Sequence, residues 1–166
     1  ALLSLHVRTV RGGYRSEPSY VHARHAVDRL PCPVLLNGNI SSAKIAHEEV
    51  IRSGAHGAMI GRAAIRNPWV FRQIRQMQAN DKVFQPKLED VYVYVAELYE
   101  EFSNSQVPEV KQVSRMKKFL NFVGLGVDPE GNFLHQMRRC RTKDELFSIC
   151  SEFMREEGRG ATPFHD

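Results

Sequence analysis

The sequence predicts an α/β fold with a parallel sheet, followed by a part of the chain made of helices alone. Short apolar runs at residues 1–6, 33–37 and 57–61 have the length of strands, and helical patterns separate them. This alternation is typical of a parallel sheet. The second half of the chain shows only helical periodicity. We therefore predict an α/β domain over residues 1–80 and an all-α helical domain over residues 81–166.

Helices are expected after each of the first two strands. The first helix is predicted over residues 19–30, after a polar loop. The second is expected to begin at Ser41-Ser42, which offers an N-cap, and to end at Gly54. The positions expected to face inward are Val21, Ala26 and Leu30 in the first helix and Ile45, Val50 and Ile51 in the second.

Apolar stripes at helical spacing identify the helices of the second half. Before them, Asn67-Pro68-Trp69 starts another helix, with Pro68 suited to its first turn, and residues 80–87 have the composition of a linker. The stripes beyond the linker are Val91, Val95, Leu98 and Phe102; Val113, Met116, Leu120 and Val123; and Leu146, Cys150 and Phe153. A weaker helical pattern lies at about 129–139.

The composition argues against several classes of protein. The 166 residues are 42% hydrophobic, which is enough for a packed core. No apolar run approaches the roughly 18 residues that a membrane span needs. The three cysteines, Cys32, Cys140 and Cys150, match neither a disulfide framework nor a zinc site. We therefore expect a cytoplasmic protein, in a reducing compartment, with no bound metal and no membrane partner.

Positive charge is concentrated in the first half of the chain. Residues 1–80 contain 11 Lys and Arg against 4 Asp and Glu, whereas residues 81–166 contain 12 against 15. An arginine-rich half is a hint of a phosphate-bearing partner. The same excess is equally compatible with an ordinary solvated surface.

Two glycine-bearing bends follow the second and third strands. Asn37-Gly38-Asn39 ends one strand, Gly61-Arg62 ends the next, and a helical pattern follows each. Glycine lets backbone N–H groups approach an anion closely, and the start of a helix favours negative charge. Because the loops after the last two strands of a (β/α) barrel commonly hold a phosphate, these bends predict a phosphate site. Two tight turns without a ligand are the alternative.

His6 and Arg8 lie where the first strand ends. Alternation along an extended chain places both side chains on the same side. Hydrogen-bond donors of this kind suit the N1–C2=O edge of a flavin, where negative charge accumulates on reduction. The alternative is a histidine with ordinary hydrogen bonds and a surface arginine.

A basic face is predicted on the helix that carries the Val113 stripe. Lys111, Arg115 and Lys118 are spaced four and three residues apart, on the side opposite that stripe. Basic helix faces can bind nucleic-acid backbones. A solvated face without a partner is the more common explanation of such a pattern.

Several motifs follow one another in a fixed order along the first half of the chain. They are Leu5-His6-Val7-Arg8-Thr9, Gly13-Tyr14, the run from Pro33 to Ile40, the run from Gly57 to Ala64, and Asn67-Pro68-Trp69. In combination they resemble the tRNA-dihydrouridine synthase family over about residues 1–75. A shorter run, Ser114 to Leu120, resembles a helical-domain motif of that family.

The resemblance implies an FMN enzyme that uses NADPH to reduce uridine in tRNA to 5,6-dihydrouridine. It also implies the C-terminal part of a TIM (β/α)8 barrel, followed by a helical domain that binds tRNA. By the same resemblance, His6 and Arg8 contact the flavin, and Asn37, Gly38, Asn39, Gly61 and Arg62 bind its phosphate. Arg115 and Lys118 are the residues that the resemblance implies for tRNA contact.

The proton donor of the family is a cysteine on a loop that precedes the region resembled here. Cys32, Cys140 and Cys150 do not match its motif, so no catalytic residue is assigned to this chain. Val7 and residues 16–20 depart from the commoner family sequences, which leaves the substrate-side loop unassigned.

Two other functions stay open on the sequence alone. One is a different FMN or phosphate-binding barrel oxidoreductase acting on a small molecule, which would share the glycine bends but would not need basic helices. The other is a non-catalytic RNA-binding remnant. Because the chain opens on the apolar stretch Ala1-Leu2-Leu3 without an initiator Met, we expect it to be the C-terminal part of a longer enzyme.

Overall fold

Among the residues described in the computed structural model of this chain, three strands and eight helices follow one another. The structure describes residues 1–13, 16 and 18–164. Tyr14 of the Gly13-Tyr14 motif and Glu17 of the substrate-side loop therefore lie outside the described residues. Two units make up the chain: Ala1–Ala64 with Pro68–Phe84, and Ile65–Asn67 with Gln85–Asp166.

A parallel sheet of three short strands organises the first unit. The strands are β1 (Leu3–His6), β2 (Val34–Asn37) and β3 (Gly57–Met59), in the spatial order β1-β2-β3. Pairing places His6 opposite Asn37 and Asn37 opposite Met59. The carboxyl ends of the three strands therefore meet at one edge of the sheet. The predicted α/β organisation with a parallel sheet is confirmed.

Helices connect these strands and follow the last one. They are α1 (Val21–Arg29), α2 (Ala43–Ser53), α3 (Arg62–Arg66) and α4 (Val70–Gln78). Ser42 caps α2 as predicted, because its hydroxyl accepts a hydrogen bond from the backbone N–H of Ile45 at 3.2 Å. Gly54 ends α2 in the left-handed conformation, with φ of 71°. Trp69 is the N-cap of α4, so Pro68 lies just before this helix and not in its first turn.

Small side chains bring α1 and α2 into the core of the first unit. Ala23 of α1 and Ala46 of α2 are buried in one cluster with Leu36 of β2, and Val27, Ile45 and Val50 pack against that cluster. Close approach of a helix to a sheet is easiest where the contact residues are small. Alanine therefore marks the inward faces here, and the larger apolar residues lie beside them.

Three of the predicted inward positions are wrong. Val21, Leu30 and Ile51 are 63%, 41% and 66% exposed. At 3.6 residues per turn, Val21 points about 160° away from Ala23, and Ile51 about 140° away from Ala46. Leu30 follows the last residue of α1 and has an extended backbone, so it no longer shares the helical face.

In the described part of the second unit, four helices follow residue 85. They are α5 (Leu88–Phe102), α6 (Glu109–Val123), α7 (Asn132–Met137) and α8 (Lys143–Arg155). The predicted stripe residues that are 6% exposed or less are Val91, Val95, Val113, Met116, Leu120, Val123, Leu146, Cys150 and Phe153. The helical periodicity of this part of the chain is thus confirmed, and the weak pattern near 129–139 corresponds to α7.

The three cysteines differ in their access to solvent. Burial on α8 raises the pKa of Cys150 to about 12, and nearby Cys140 adds to the shift. Burial also raises the pKa of the Cys140 thiol, which donates a hydrogen bond to the carbonyl of Met137 at 2.9 Å. Cys32 is partly exposed. Because the thiolate is the reactive form, the two buried thiols should be inert.

We expect iodoacetamide to label Cys32 in the folded full-length protein well before it labels Cys150. A pKa of about 12, against the ordinary value of 9.0, leaves Cys150 with a thiolate fraction roughly a thousandfold smaller. Peptide mass spectrometry resolves the sites, and unfolding in urea should make all of them reactive. Equal labelling of Cys150 and Cys32 before unfolding would contradict the packing of α8.

Candidate functional site

The candidate site of the first unit is the carboxyl edge of its sheet. His6, Asn37 and Met59 occupy equivalent positions at the ends of the three strands. The bend at Gly38 follows β2 directly, and Gly61 follows β3 after one further residue. Because β2 and β3 are adjacent and parallel, both bends lie at the same edge of the sheet.

The first bend has a backbone that few residues can adopt. Gly38 has φ of 100° and Asn39 has φ of 56°, and both values lie in the left-handed region. Glycine adopts such values without steric cost, and Asn tolerates them better than most residues. A Cβ atom added at Gly38 would lie 2.9 Å from both Cε1 and Nε2 of His6. The imidazole of His6 therefore lies directly over the main chain of the bend.

Arg8 joins the loop after β1 to the bend after β2. Its Nε donates a hydrogen bond to the carbonyl of Ser16 at 2.8 Å, and its Nη2 donates to Oδ1 of Asn39 at 3.1 Å. Arg8 is partly buried as a residue. The bond to Ser16 holds the Arg8 side chain, and the bond to Asn39 links its positive charge to the bend after β2.

The hydrogen bonding of His6 defines its tautomer. The backbone N–H of Arg8 donates to Nδ1 of His6 at 3.2 Å. A ring nitrogen that accepts a hydrogen bond carries no proton, so the proton of the neutral imidazole is on Nε2. His6 is exposed, and its Nε2–H is available to donate to a ligand at this edge.

The second bend is open to solvent. No atom outside the chain neighbours of Gly61 lies within 4 Å of the position that a Cβ would take. Arg62 begins α3, and both Gly61 and Arg62 are exposed. The bend therefore has an accessible main chain, and an exposed arginine is the next residue along the chain. Together, these positions bring the predicted residues of the first unit to one edge of the sheet.

His56 lies at the opposite edge of the sheet, where β2 and β3 begin. The backbone N–H of Val34 donates to its Nδ1 at 3.2 Å, and the His56 N–H donates to the Val34 carbonyl at 2.9 Å. These bonds join the starts of β2 and β3. His56 thus supports the sheet and is separate from the candidate site.

The second unit carries a basic face on α6. Lys111, Arg115 and Lys118 are all exposed, as their spacing predicts, and none lies within 4.0 Å of a carboxylate among the described residues. The guanidinium of Arg115 lies over the ring of Phe102, 5.0 Å from its centroid. Phe102 was assigned to an apolar stripe, and no sequence signal indicated its contact with Arg115.

The described residues contain neither a metal-binding cluster nor a membrane-spanning helix. No three His, Cys, Asp or Glu side chains within it are grouped so that they could hold a metal ion. No helix in the same residues combines the length and the apolar character needed to cross a membrane.

We expect Gly38→Ala to lower the free energy of unfolding by roughly 1–3 kcal/mol, because alanine is strained at this φ. The loss is larger if the His6 imidazole cannot move away from the added methyl group. Gly54→Ala is the matched control: its φ is 71° and its neighbour at 3.0 Å is only the end of the Arg24 side chain. Urea denaturation of the full-length protein measures both variants.

The contribution of His6 is separated by a double variant. In a His6→Ala background, Gly38→Ala should cost less than it does in the parent protein, since the contact at 2.9 Å is gone and only the backbone strain remains. An unchanged cost of Gly38→Ala in that background would show that the imidazole does not pack on the bend.

The chain is similar in sequence to tRNA-dihydrouridine synthases of several bacteria. A family model described as Dihydrouridine synthase (Dus) matches residues 1–156. The tRNA-dihydrouridine(16) synthase of Neisseria meningitidis serogroup A is 25% identical over 154 residues, which is 93% of this chain and 46% of that protein. The tRNA-dihydrouridine synthase B of Xanthomonas axonopodis pv. citri is 34% identical over 86 residues, 52% of this chain and 26% of that protein.

A third relative matches the chain with a similar identity and over a similar length. The tRNA-dihydrouridine synthase B of Pasteurella multocida is 32% identical over 89 residues, which is 53% of this chain and 27% of that protein. The chain thus spans about half the length, or less, of the curated relatives it matches. Because the family model covers most of the chain, the resemblance found in its motifs is confirmed, and the chain belongs to the dihydrouridine synthase family.

Proposed function

We propose that the carboxyl edge of the sheet binds the phosphate of FMN, in a protein that reduces uridine in tRNA to 5,6-dihydrouridine with NADPH. The observation that carries the proposal is the pair of bends, Gly38 and Gly61, at one edge of two adjacent parallel strands. Membership of the family supports the reaction, since the matching relatives are named as tRNA-dihydrouridine synthases.

The residues at this edge fit a phosphate. The left-handed values of φ at Gly38 and Asn39 turn the main chain sharply at the strand end, and turns of this kind can aim backbone N–H groups at an anion. The open surface at Gly61 lets a ligand reach the main chain there. Arg8 and Arg62 add positive charge, which a phosphate dianion requires.

His6 would donate its Nε2–H to the flavin ring, at the N1–C2=O edge where negative charge accumulates. Bound FMN would supply hydride transfer from NADPH to C6 of uracil. In this proposal the chain binds and orients the cofactor, and Arg8 holds the two loops in place. None of Cys32, Cys140 and Cys150 matches the family's proton-donor motif, so no catalytic residue is proposed within the chain.

The basic face of α6 would bind tRNA. Lys111, Arg115 and Lys118 present three positive charges without acidic partners among the described residues, and phosphates are the groups that such a face attracts. This observation favours an RNA substrate over the small-molecule oxidoreductase. A tRNA substrate would place the reaction in the cytoplasm.

The proposal extends to the domain architecture. Three parallel strands, each followed by a helix, are compatible with successive units of a TIM (β/α)8 barrel. We assign residues 1–80 to such a barrel and residues 81–166 to a helical tRNA-binding domain.

We expect Arg62→Ala in the full-length protein to weaken FMN binding by about ten- to a hundredfold, since a hydrogen bond to a charged group contributes roughly 1.5–3 kcal/mol. Riboflavin lacks the phosphate, so its affinity should change little. Titration followed by flavin fluorescence measures both dissociation constants.

The matched control for this experiment is Arg52→Ala. Arg52 is another exposed arginine of the first unit, and it pairs with Glu49 on α2. This variant should bind FMN as the parent does. Equal weakening of FMN and riboflavin by Arg62→Ala, or no weakening of either, would remove Arg62 from the phosphate site.

The reaction itself is tested with an unmodified tRNA transcript and NADPH. We expect the full-length protein to add two hydrogen atoms to a uridine, which nuclease digestion and mass spectrometry detect. Flavin that is reduced by NADPH without any dihydrouridine in the RNA would instead favour the small-molecule oxidoreductase.

Lys118→Gln should weaken tRNA binding and lower the slope of log affinity against log salt by about one.

A further inference from the structure

The basic face of α6 borders a groove whose walls are largely aromatic and apolar. The groove belongs to the second unit and has a volume of about 520 Å³. Its lining includes Ile65, Lys111, Arg115, Lys118, Phe119 and Phe122. A surface that only neutralised phosphates would need lysines and arginines but no ring-lined cleft between them. The aromatic walls therefore require a separate explanation.

Arg115 is held against an aromatic stack. Its guanidinium lies 5.0 Å from the Phe102 centroid, and the rings of Phe102 and Phe119 are stacked at 6.0 Å with 30° between their planes. Phe102 thus supports both Arg115 and Phe119, which line the groove. A guanidinium fixed in this way loses less freedom when it meets a flat ligand. Guanidinium planes and phenylalanine rings are the groups on which nucleic-acid bases stack.

The positive charges at the groove favour a flat ligand that carries negative charge. Lys111 and Lys118 lie seven residues apart on one helix face, which is two turns or roughly 10.5 Å along the axis. Arg115 lies between them, and no carboxylate among the described residues pairs with any of the three. A flat base attached to a backbone that has a phosphate on each side complements this arrangement. A neutral apolar peptide would leave the cations without partners.

We propose that this groove binds an unpaired base of RNA, stacked on Phe119 and Arg115, while Lys111 and Lys118 contact the phosphates beside it. The inference rests on the proposed binding of tRNA by the second unit. It adds that the helical unit recognises a base extruded from the RNA helix, and not only the backbone. Substrates with an unpaired base at the matching distance from the reacting uridine would then be preferred.

The test compares two RNA probes on the full-length protein at one salt concentration. One is an oligouridylate, and the other is an abasic ribose-phosphate oligomer of the same length and charge. Stacking of one base contributes roughly 1–3 kcal/mol, which is about 5- to 150-fold in affinity. Arg115→Lys keeps the charge but removes the plane, and Phe119→Leu removes the ring. Each should lower the affinity ratio of the two probes by at least about fivefold.

Lys118→Gln is the matched control, because it removes a charge and leaves the aromatic stack intact. It should weaken both probes alike and leave their ratio unchanged. Fluorescence anisotropy gives the affinities, and circular dichroism checks that each variant is folded. Arg115 is exposed, so Arg115→Lys keeps the test valid if Phe119→Leu does not fold.

The possible failures are distinguishable. A ratio that neither Arg115→Lys nor Phe119→Leu changes would overturn base stacking in the groove, while tRNA binding by the basic face would stand. Failure of the parent protein to bind either probe, or tRNA, would overturn the proposed function together with this inference. The groove would instead be assigned to an acidic protein partner by two results together. Oligoglutamate would bind the parent protein more tightly than oligouridylate does, and Phe119→Leu would abolish the binding of oligoglutamate.

Discussion

Parallel pairing in register is the constraint on which the candidate site depends. His6, Asn37 and Met59 end their strands at equivalent positions, so the loops that follow β1, β2 and β3 begin at the same edge of the sheet. Residues far apart in sequence become neighbours for this reason alone. The hydrogen bond between Arg8 and Asn39 then joins two of these loops directly.

The two arginines that share the edge have different surroundings. Arg8 is partly buried and donates to Ser16 and Asn39, so its side chain is fixed before any ligand binds. Arg62 is exposed at the start of α3, beside the open bend at Gly61. The two positive charges complement each other: Arg8 orders the loops after β1 and β2, and Arg62 adds a charge on the exposed side of the same edge. His6 adds a hydrogen-bond donor at the same edge, because its Nδ1 already accepts from the backbone N–H of Arg8.

Sequence reasoning predicted the strands, the helices and most buried stripes, because hydrophobic periodicity reports directly on burial. It was wrong at Val21, Leu30 and Ile51, where large apolar residues gave a pattern but Ala23 and Ala46 made the contacts. Small residues carry little periodic signal, so the inward faces of α1 and α2 are not marked by large apolar side chains. The stacking of Arg115 on Phe102 joins two helices and has no local pattern at all. Such contacts depend on tertiary packing, which the spacing along one helix does not encode.

The central claim is that the main chain at two neighbouring bends binds a phosphate. A crystal structure of the full-length protein with FMN tests it most directly. The account predicts phosphate oxygens within roughly 3 Å of backbone nitrogens at both the Gly38 and the Gly61 bends, with the flavin ring beside His6. A phosphate bound elsewhere, or bound by side chains while the amides of both bends face water, would contradict it.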